Sequence, residues 1–249
     1  MPGSPPLSYC YLPPAPALAP YVDSFWQLRI TAPTDRDIWL LPDGRIDVAF
    51  SQSATEPFHA VLLGLGTAAG RTTLAAGTHT CAVSLRLPAA EYLLRRPIAS
   101  ALNGGERLPV GFWGIEPADL ADLGHFARKL EARLSELVPA AVDPRKRRLF
   151  DLLYASGGTL PVRALAEQAG WSSRQINRYF QEYFGLSLKT YCGILRFWAA
   201  FPQLKAGRLF PELPFADQAH FIREVRRLAG VRPKDLARNQ DDRFIQFSV

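Results

Sequence analysis

Cysteine and long apolar runs are scarce in this sequence of 249 residues, and each shortage excludes a class of protein. The three cysteines, Cys10, Cys81 and Cys192, are too few and too far apart to form a Cys-x-x-Cys pair or a zinc-binding spacing. No apolar run approaches the roughly 18 residues that a membrane-spanning helix needs. Residues 1–20 are rich in proline rather than basic and then apolar, unlike a secretory signal. We therefore expect a cytoplasmic protein with reduced thiols and no membrane contact.

Signatures of catalysis and of metal binding are also missing. The sequence has no Gly-rich phosphate loop, no paired-carboxylate motif and no nucleophile elbow. His59, His79 and His125 lack the spacing of metal ligands. His79 and Cys81 occupy alternate positions of one predicted strand, which leaves a small-molecule enzyme as an alternative, although any two residues on one face have this spacing. We expect no enzyme activity, no cofactor and no metal.

Charge is distributed unevenly along the chain, whose net charge is +6. Residues 1–142 contain 11 Lys and Arg against 13 Asp and Glu, whereas residues 143–249 contain 18 against 10. The N-terminal part is therefore nearly neutral, and the C-terminal part carries a net charge of +8. Such a basic half is typical of a domain that meets a polyanion, although a solvated Arg-rich surface has the same composition.

The N-terminal half has the pattern of a β-rich domain. Aromatic and β-branched residues predict strands over residues 21–30, 37–41, 46–50, 60–65 and 80–87. The turn residues Pro42, Asp43 and Gly44 predict that 37–50 forms a hairpin. The expected fold class is α+β, in which this half is a small barrel or sandwich, with a cupin-like barrel as one form.

Two helices are predicted before the C-terminal half. The first covers Pro88–Arg95 and ends before Pro97. The second covers residues 117–138 and has a narrow apolar seam at Leu120, Leu123, Ala127, Leu130, Leu134 and Leu137. This seam either packs on the N-terminal sheet or forms a homodimer contact. The expected divisions are residues 1–115 for a regulatory domain, 116–142 for the helix and a linker, and 143–249 for a helical domain.

The segment Leu160–Gly185 has the pattern of a helix-turn-helix. Gly170 supplies a turn of positive φ after a first short helix, and the nearby Trp171 can be buried at the corner. Ser172 and Gln175 have the spacing of a capping box that begins a second helix, which Gly185 ends. Inner positions are apolar, whereas the outer positions are Ser173, Arg174, Asn177, Arg178 and Gln181. Arg and Asn at such positions can read guanine and adenine in the major groove.

The stretch LAEQAGWSSRQINRYFQEYFGLSLKTY, followed by FADQAHFIREVRRLAGVRPKDL, resembles the AraC/XylS family of bacterial regulators. The resemblance covers roughly residues 148–236 and implies two helix-turn-helix units joined by a long helix. It implies base-reading roles for Arg174, Asn177 and Arg178. In a second recognition helix over 217–229, it implies that Gln218, Ala219, His220, Ile222 and Arg223 face DNA. Arg163 and Lys189 are candidates for phosphate contacts.

The second unit departs from the family pattern. Pro202 lies inside the joining helix and is expected to kink or end it near Ala200 or Phe201. Residues 208–214 are shorter than the family's supporting helix and contain two prolines. These departures favour an alternative in which the chain is a sensor or interaction module with a partly degenerate DNA-binding half.

The N-terminal half contains PPAPALAPYVDSFW, LLPDGRIDVAF and VSLRLPAAEYLL, which resemble an uncharacterised domain found before AraC-type regions. This resemblance implies effector sensing, dimerisation or both. An apolar effector pocket would be lined by Phe25, Trp26, Trp39, Phe50 and Phe58, although each can equally be an ordinary core aromatic. The expected partners are double-stranded DNA, a small-molecule effector, RNA polymerase and a second copy of the chain through 117–138.

Overall fold

The structure is a computed structural model that describes residues 7–208, 215, 217–239 and 244–248. The described strands all lie in the first 107 residues, with α1 between the last two: β1 Leu7–Leu12, β2 Val22–Ile30, β3 Arg36–Leu40, β4 Ile46–Gln52, β5 His59–Leu63, β6 Gly70–Leu74, β7 His79–Leu85 and β8 Gly105–Arg107. The nine described helices are α1 Pro88–Tyr92, α2 Leu123–Leu137, α3 Pro144–Ala155, α4 Val162–Ala169, α5 Ser173–Phe184, α6 Leu188–Lys205, α7 Gln218–Ala229, α8 Pro233–Arg238 and α9 Ile245–Ser248. The predicted α+β class, β-rich first and helical afterwards, is confirmed.

Six strands form one antiparallel sheet in the order β1-β2-β7-β4-β5-β8, and β3 pairs with β6 in a second sheet of two strands. β4 and β7 lie at the centre of the large sheet, and Val48 and Phe50 are buried on the face that α2 covers. The opposite face of these two strands also carries polar side chains, among them Asp47 and Ser84. The small sheet covers part of one face, where Ile38 packs with Leu28 and Ile30. The described strands form open sheets rather than a closed barrel.

The predicted hairpin over residues 37–50 is wrong, although its turn and both of its strands exist. Gly44 does adopt a positive φ of 78°. However, β3 pairs with β6, and β4 pairs with β5 and β7. Both hydrogen-bonding edges of β4 are therefore occupied by strands that come later in the chain, which leaves β3 to the second sheet.

The helix predicted over residues 117–138 begins later, at Leu123, where the Asp122 side chain accepts a hydrogen bond from the His125 amide. Residues 117–121 form a 3-10 turn instead. The apolar seam of α2 is buried within the chain: Phe126 packs edge-on against Phe25 and Phe50 of the large sheet. Packing on the sheet, rather than dimerisation, accounts for this seam, since Leu130 and Leu134 have no exposed surface.

Helix α1 is also shorter than the predicted Pro88–Arg95. It ends at Tyr92, and Arg95 adopts a positive φ of 56°, which an α-helix does not allow. The chain then passes through a short 3-10 turn at Ala99–Ala101 and reaches β8. This irregular segment lies against α5 of the helical half.

Pro202 does not end α6 as predicted, because the helix continues to Lys205. The proline lacks only one N–H donor, and it stands one turn from the helix end. Ala200, Phe201 and Leu204, which flank it, are buried with the rest of the inner face of α6. Burial of these side chains outweighs the loss of one backbone hydrogen bond.

The two halves share one continuous cluster of buried apolar side chains. Among the described residues, no helix is long and apolar enough to cross a bilayer. In the same part of the chain, no three His, Cys, Asp or Glu side chains converge as a group that could hold a metal ion.

Candidate DNA-binding surface

The first helix-turn-helix unit consists of α4 and α5. Helix α4 ends at Gly170, whose φ of 63° turns the chain as the sequence predicted. The Trp171 ring is half-buried at this corner, with its centroid 5.6 Å from that of Tyr179 and with the Arg145 guanidinium 5.5 Å from its own centroid. The turn is therefore fixed by aromatic packing on its inner side.

Helix α5 begins with the predicted capping box. The Ser172 hydroxyl accepts a hydrogen bond from the Gln175 amide at 3.2 Å, and the Gln175 side chain accepts one from the Ser172 amide at 3.1 Å. Gly185 ends the helix with a φ of 75°. Ile176, Tyr179, Phe180 and Phe184 form the buried inner face. The opposite face is therefore free of core packing.

Two arginines project from that outer face. The side chains of Arg174 and Arg178 are exposed, and they lie one helical turn apart. Within the described part of the chain, no carboxylate lies within 4 Å of either guanidinium. Both cations are therefore available to a polyanion, and both have planar donor groups that match a guanine edge.

The polar neighbours of these arginines are partly engaged by the helix itself. Asn177 is half-buried and donates a hydrogen bond to the Ser173 carbonyl at 3.0 Å. The exposed Gln181 donates to the Gly185 carbonyl at 3.1 Å. Each of these amides has a second N–H and a carbonyl oxygen, so base contact remains feasible. Ser173 is half-buried in the first turn of α5.

The second unit contains α7, which forms although residues 208–214 before it contain two prolines. The Asp217 side chain caps α7 by accepting a hydrogen bond from the His220 amide at 2.7 Å. Phe221, Val225 and Leu228 are buried on its inner face, which packs on α6 and α8. Gln218, Ala219 and Arg223 are exposed. The helix is therefore supported by α6 and α8.

Two predicted contacts of the second unit are less accessible. His220 is half-buried, and its ring lies edge-on to Phe215, with 5.7 Å between the centroids. Ile222 is also half-buried. The supporting segment 208–214, apart from Arg208, lies outside the described residues, so the expectation that it is incomplete stays a prediction.

Arg226 is a further exposed cation of α7 that the sequence pattern did not single out. This side chain is exposed on α7 and stands three residues after Arg223, so the two guanidinium groups share one face of the helix. The spacing was visible in the sequence, but the residue lies near the helix end, where base contacts are less common. Arg227 differs, because it pairs with Glu224 at 2.9 Å.

The five aromatic residues predicted to line one effector pocket are not brought together. Phe25 and Phe50 are fully buried on the face of the large sheet that α2 covers, and Phe58 stacks on Phe50 with 6.5 Å between the centroids. Trp26 lies on the opposite face, where its indole N–H is 3.2 Å from Asp47 and Ser84. Trp39 belongs to the small sheet.

A different part of the N-terminal half is open to a small molecule. A depression of about 420 Å³ is bordered by Arg29, Thr78, His79 and Ala121. Arg29 donates to His79 Nε2 at 3.2 Å and to the Ala121 carbonyl at 2.7 Å. No carboxylate of the described residues lies within 4 Å of its guanidinium. Burial and the nearby Arg29 lower the pKa of His79 and so favour the neutral ring.

Cys81 does not have the surroundings of a nucleophile. It is fully buried, and its thiol lies 3.6 Å from the Leu120 carbonyl and 3.3 Å from the Gln27 side-chain amide. Burial raises its pKa to about 11, so the thiol keeps its proton at neutral pH. The pairing of His79 with Cys81 therefore offers no support for the enzyme alternative.

Comparisons with known families match both halves of the chain. Residues 165–239 match a family described as "Helix-turn-helix domain", and residues 11–105 match one described as "Domain of unknown function (DUF6597)". The first match covers α5 and α7 together with the helix between them. A search of curated proteins found no match.

Solved structures of ToxT from Vibrio cholerae are similar to most of the chain. An apo variant from strain SCE256 is 12% identical, with a TM-score of 0.46, and the match covers 86% of this chain and 96% of that one. A ToxT structure at 1.65 Å is 11% identical, with a TM-score of 0.44, and the match covers 93% and 97%. A third ToxT structure, bound to an unsaturated fatty acid, is 12% identical with a TM-score of 0.38, and the match covers 93% of this chain and 94% of that one.

Proposed function

We propose that this chain is a DNA-binding transcription regulator with an AraC-type helix-turn-helix domain in its C-terminal half, and that it reads specific sequences by placing α5 in the major groove. The proposal rests on Arg174 and Arg178, which are exposed on the outer face of a capped helix. Neither guanidinium has a carboxylate partner among the described residues. Bidentate contacts from guanidinium groups to guanine provide the sequence readout, and Asn177 reads adenine.

The electrostatics favour the same orientation. The helical half carries the excess positive charge, and the N-terminus of α5 presents free backbone amides beside Arg174. Phosphates that flank the groove can bind at this helix end, while Arg163 on α4 and Lys189 on α6 are exposed for further backbone contacts. Phosphate contacts then set the register of α5, and the arginines provide the specificity.

Selection of bound sequences from a random duplex pool, followed by titration of the selected duplex, tests the proposal. Changing Arg174 and Arg178 together to alanine should weaken binding to the selected duplex by about 30-fold or more, since each bidentate contact contributes about 1–3 kcal/mol. The matched control changes Arg71 and Arg133, two exposed arginines of the N-terminal half, and removes the same charge. Equal losses in both double variants would mean that charge alone, rather than α5, governs binding.

We also propose that α7 contacts a second, adjacent stretch of major groove. Its support is the N-terminal cap at Asp217 and the exposed side chains of Gln218, Arg223 and Arg226. The selected site should then cover two successive grooves, about one helical turn apart. Changing Arg223 to alanine should relax the sequence preference in one of them only. A selected site that covers a single groove would instead support the alternative of a sensor whose second unit has lost DNA contact.

Effector control is the remaining part of the proposal. The depression beside Arg29 has a volume within the usual range for small ligands. Among the described residues that line it, Arg29 is the one permanently charged side chain, and its guanidinium has no carboxylate partner in the described part of the chain. We expect an effector with a carboxylate or another anionic group. A panel of small carboxylic acids and their neutral amides, screened for a change in affinity for the selected duplex, tests this. The acids should act on the wild-type protein but not on an Arg29→Gln variant. Equal responses of the two proteins would exclude the depression as the effector site.

A further inference from the structure

Glu91 of the N-terminal half binds two elements of the DNA-binding half at once. Its carboxylate lies 2.5 and 2.7 Å from the ammonium group of Lys146 on α3. It also accepts a hydrogen bond at 3.0 Å from the hydroxyl of Tyr179, which belongs to α5. The carboxylate therefore connects α1 directly to the proposed recognition helix.

The surroundings of this carboxylate exclude much of the solvent. The side chains of Glu91 and Lys146 are 21% and 16% exposed, and Tyr179 is 7% exposed. The Lys146 ammonium lies 4.8 Å from the centroid of the Tyr179 ring, over its face. Burial and the negative charge of Glu91 raise the pKa of Tyr179, so its hydroxyl remains a donor at every physiological pH. Interactions of charged groups are stronger here than at an exposed site.

The chain that follows α1 holds the other end of the same helix. The Ile98 amide donates to the Tyr183 carbonyl at 2.8 Å. A Cβ placed on Gly185 would lie 3.1 Å from the Ala99 carbonyl oxygen, so the backbones of the two halves are close at this point. Residues 91–99 therefore contact α5 at its middle and at its C-terminal end.

The contact lies directly behind the proposed reading surface. Tyr179 follows Arg178 in the sequence but points inward, while Arg178 points outward. A rotation or tilt of α5 that broke the bond from Tyr179 to Glu91 would move both Arg174 and Arg178. The geometry of base readout tolerates little displacement, because paired hydrogen bonds lose strength steeply with angle and distance.

We propose that Glu91 is a positioning residue for DNA recognition, which sets the orientation of α5 from the N-terminal half through Tyr179 and Lys146. This proposal rests on the proposed function, because it requires α5 to read the bases. It gives the N-terminal half a route of influence on DNA binding: any ligand that shifts α1 shifts the recognition helix.

The test measures two affinities for each variant, one for the selected duplex and one for a scrambled duplex of equal length. Glu91→Gln removes the charge opposite Lys146 and keeps the shape of the side chain. We expect it to weaken binding to the selected duplex about tenfold, the equivalent of one charge-assisted interaction, and to leave binding to the scrambled duplex unchanged. The ratio of the two affinities should therefore fall about tenfold.

This ratio separates positioning from simple loss of folded protein. A variant that only unfolds more often loses affinity for both duplexes equally, and the ratio stays constant. The matched control is Glu136→Gln on α2, which removes an exposed carboxylate that pairs with Arg133; its ratio should equal that of the wild type. The exchanged pair Glu91→Lys with Lys146→Glu restores opposite charges at this contact and should recover part of the ratio that each single change loses.

The outcomes are distinguishable. If the wild-type protein discriminates between the duplexes and Glu91→Gln discriminates equally well, Glu91 does not position α5, and the proposed function is unaffected. If the wild-type protein itself shows no discrimination, the proposed function fails, and the role of Glu91 fails with it. A lower ratio in Glu91→Gln, with an unchanged ratio in the control, supports the positioning role.

Discussion

The hydroxyl of Tyr191 donates a hydrogen bond at 3.0 Å to the carbonyl oxygen of Gly44, a residue 147 positions earlier in the chain. Tyr191 lies on the buried face of α6, and Gly44 lies in the turn before β4. Tyr191 has no exposed surface, and burial raises its pKa well above the ordinary value. Its hydroxyl therefore keeps its proton and remains a hydrogen-bond donor at neutral pH. This one bond ties the turn before β4 in the N-terminal half to α6, the helix that joins the two helix-turn-helix units.

Changing Tyr191 to phenylalanine should lower the free energy of unfolding by about 1–2 kcal/mol. The substitution keeps the ring but leaves a buried carbonyl group without its donor. Urea denaturation provides the measurement. Tyr11→Phe serves as the control, because Tyr11 is 66% exposed and its change should cost less than about 0.5 kcal/mol. Equal stabilities of the two variants would show that the bond to Gly44 contributes nothing.

Gly185 and Gly170 allow backbone strain to be separated from contact between the halves. Both have positive φ, 75° and 63°, so an alanine at either position costs about 1 kcal/mol in strain. Only at Gly185 would the new methyl group meet another segment, 3.1 Å from the Ala99 carbonyl oxygen; at Gly170 nothing lies within 4 Å. Thermal or urea unfolding should show that Gly185→Ala is less stable than Gly170→Ala by about 1 kcal/mol. The reverse order would contradict the close approach of the two backbones.

Asp47 predicts a particular dependence of stability on pH. Burial and the nearby Asp43 raise its pKa from 3.8 to about 6. Between pH 4 and 6 the folded protein keeps a proton on Asp47 that the unfolded chain has lost, so this group stabilises the fold at low pH and ceases to do so as pH rises through 6. Asp47→Asn removes the titrating carboxyl group, so the variant lacks this pH dependence. The free energy of unfolding of the variant minus that of the wild type should therefore increase from pH 4 to pH 7.

Urea midpoints at several pH values supply that difference. Using the difference between the two proteins removes the opposing effect of carboxylates with lowered pKa, such as Asp119 and Glu224, because both proteins share them. Parallel pH profiles would mean that Asp47 titrates normally.

The capping box of α5 should be measurable on its own. Ser172→Ala removes the hydroxyl that accepts from the Gln175 amide, and it should lower the free energy of unfolding by about 1 kcal/mol. Ser173→Ala, one position later, removes a hydroxyl without a role in the cap and should change stability by less than about 0.5 kcal/mol. Helical content by circular dichroism and urea unfolding would compare the two. A larger effect at residue 173 would contradict the cap.

Local features were predictable from the sequence because their causes are local. The limits of α5 follow from a capping box of four residues and a terminal glycine, and both are present as expected. The enrichment in aromatic and β-branched residues located β2, β5 and β7. In these segments, the neighbours in sequence supply the interactions that decide the structure.

Other predictions failed where distant residues decide the outcome. The hairpin over 37–50 was lost because β7, about 30 residues later, pairs with β4. Pro202 remained within α6 because the surrounding side chains are buried against other helices. The contacts of Glu91 with the helical half could not be predicted, because its partners Lys146 and Tyr179 lie 55 and 88 positions away and no local pattern marks them. The five aromatics had no common location because alternate residues of a strand face opposite sides.

The last described turn of the chain returns to the first half. Phe244 forms a parallel bridge with Trp39 of β3, and the Gln246 side chain donates to the Leu41 carbonyl at 3.2 Å. A cut in the peptide backbone between residues 139 and 143 would therefore not release two free pieces. Fragments expressed from separate genes on either side of that cut should reassemble by complementation. Residues 244–246 of the C-terminal fragment would then bind to β3 and Leu41 of the N-terminal fragment.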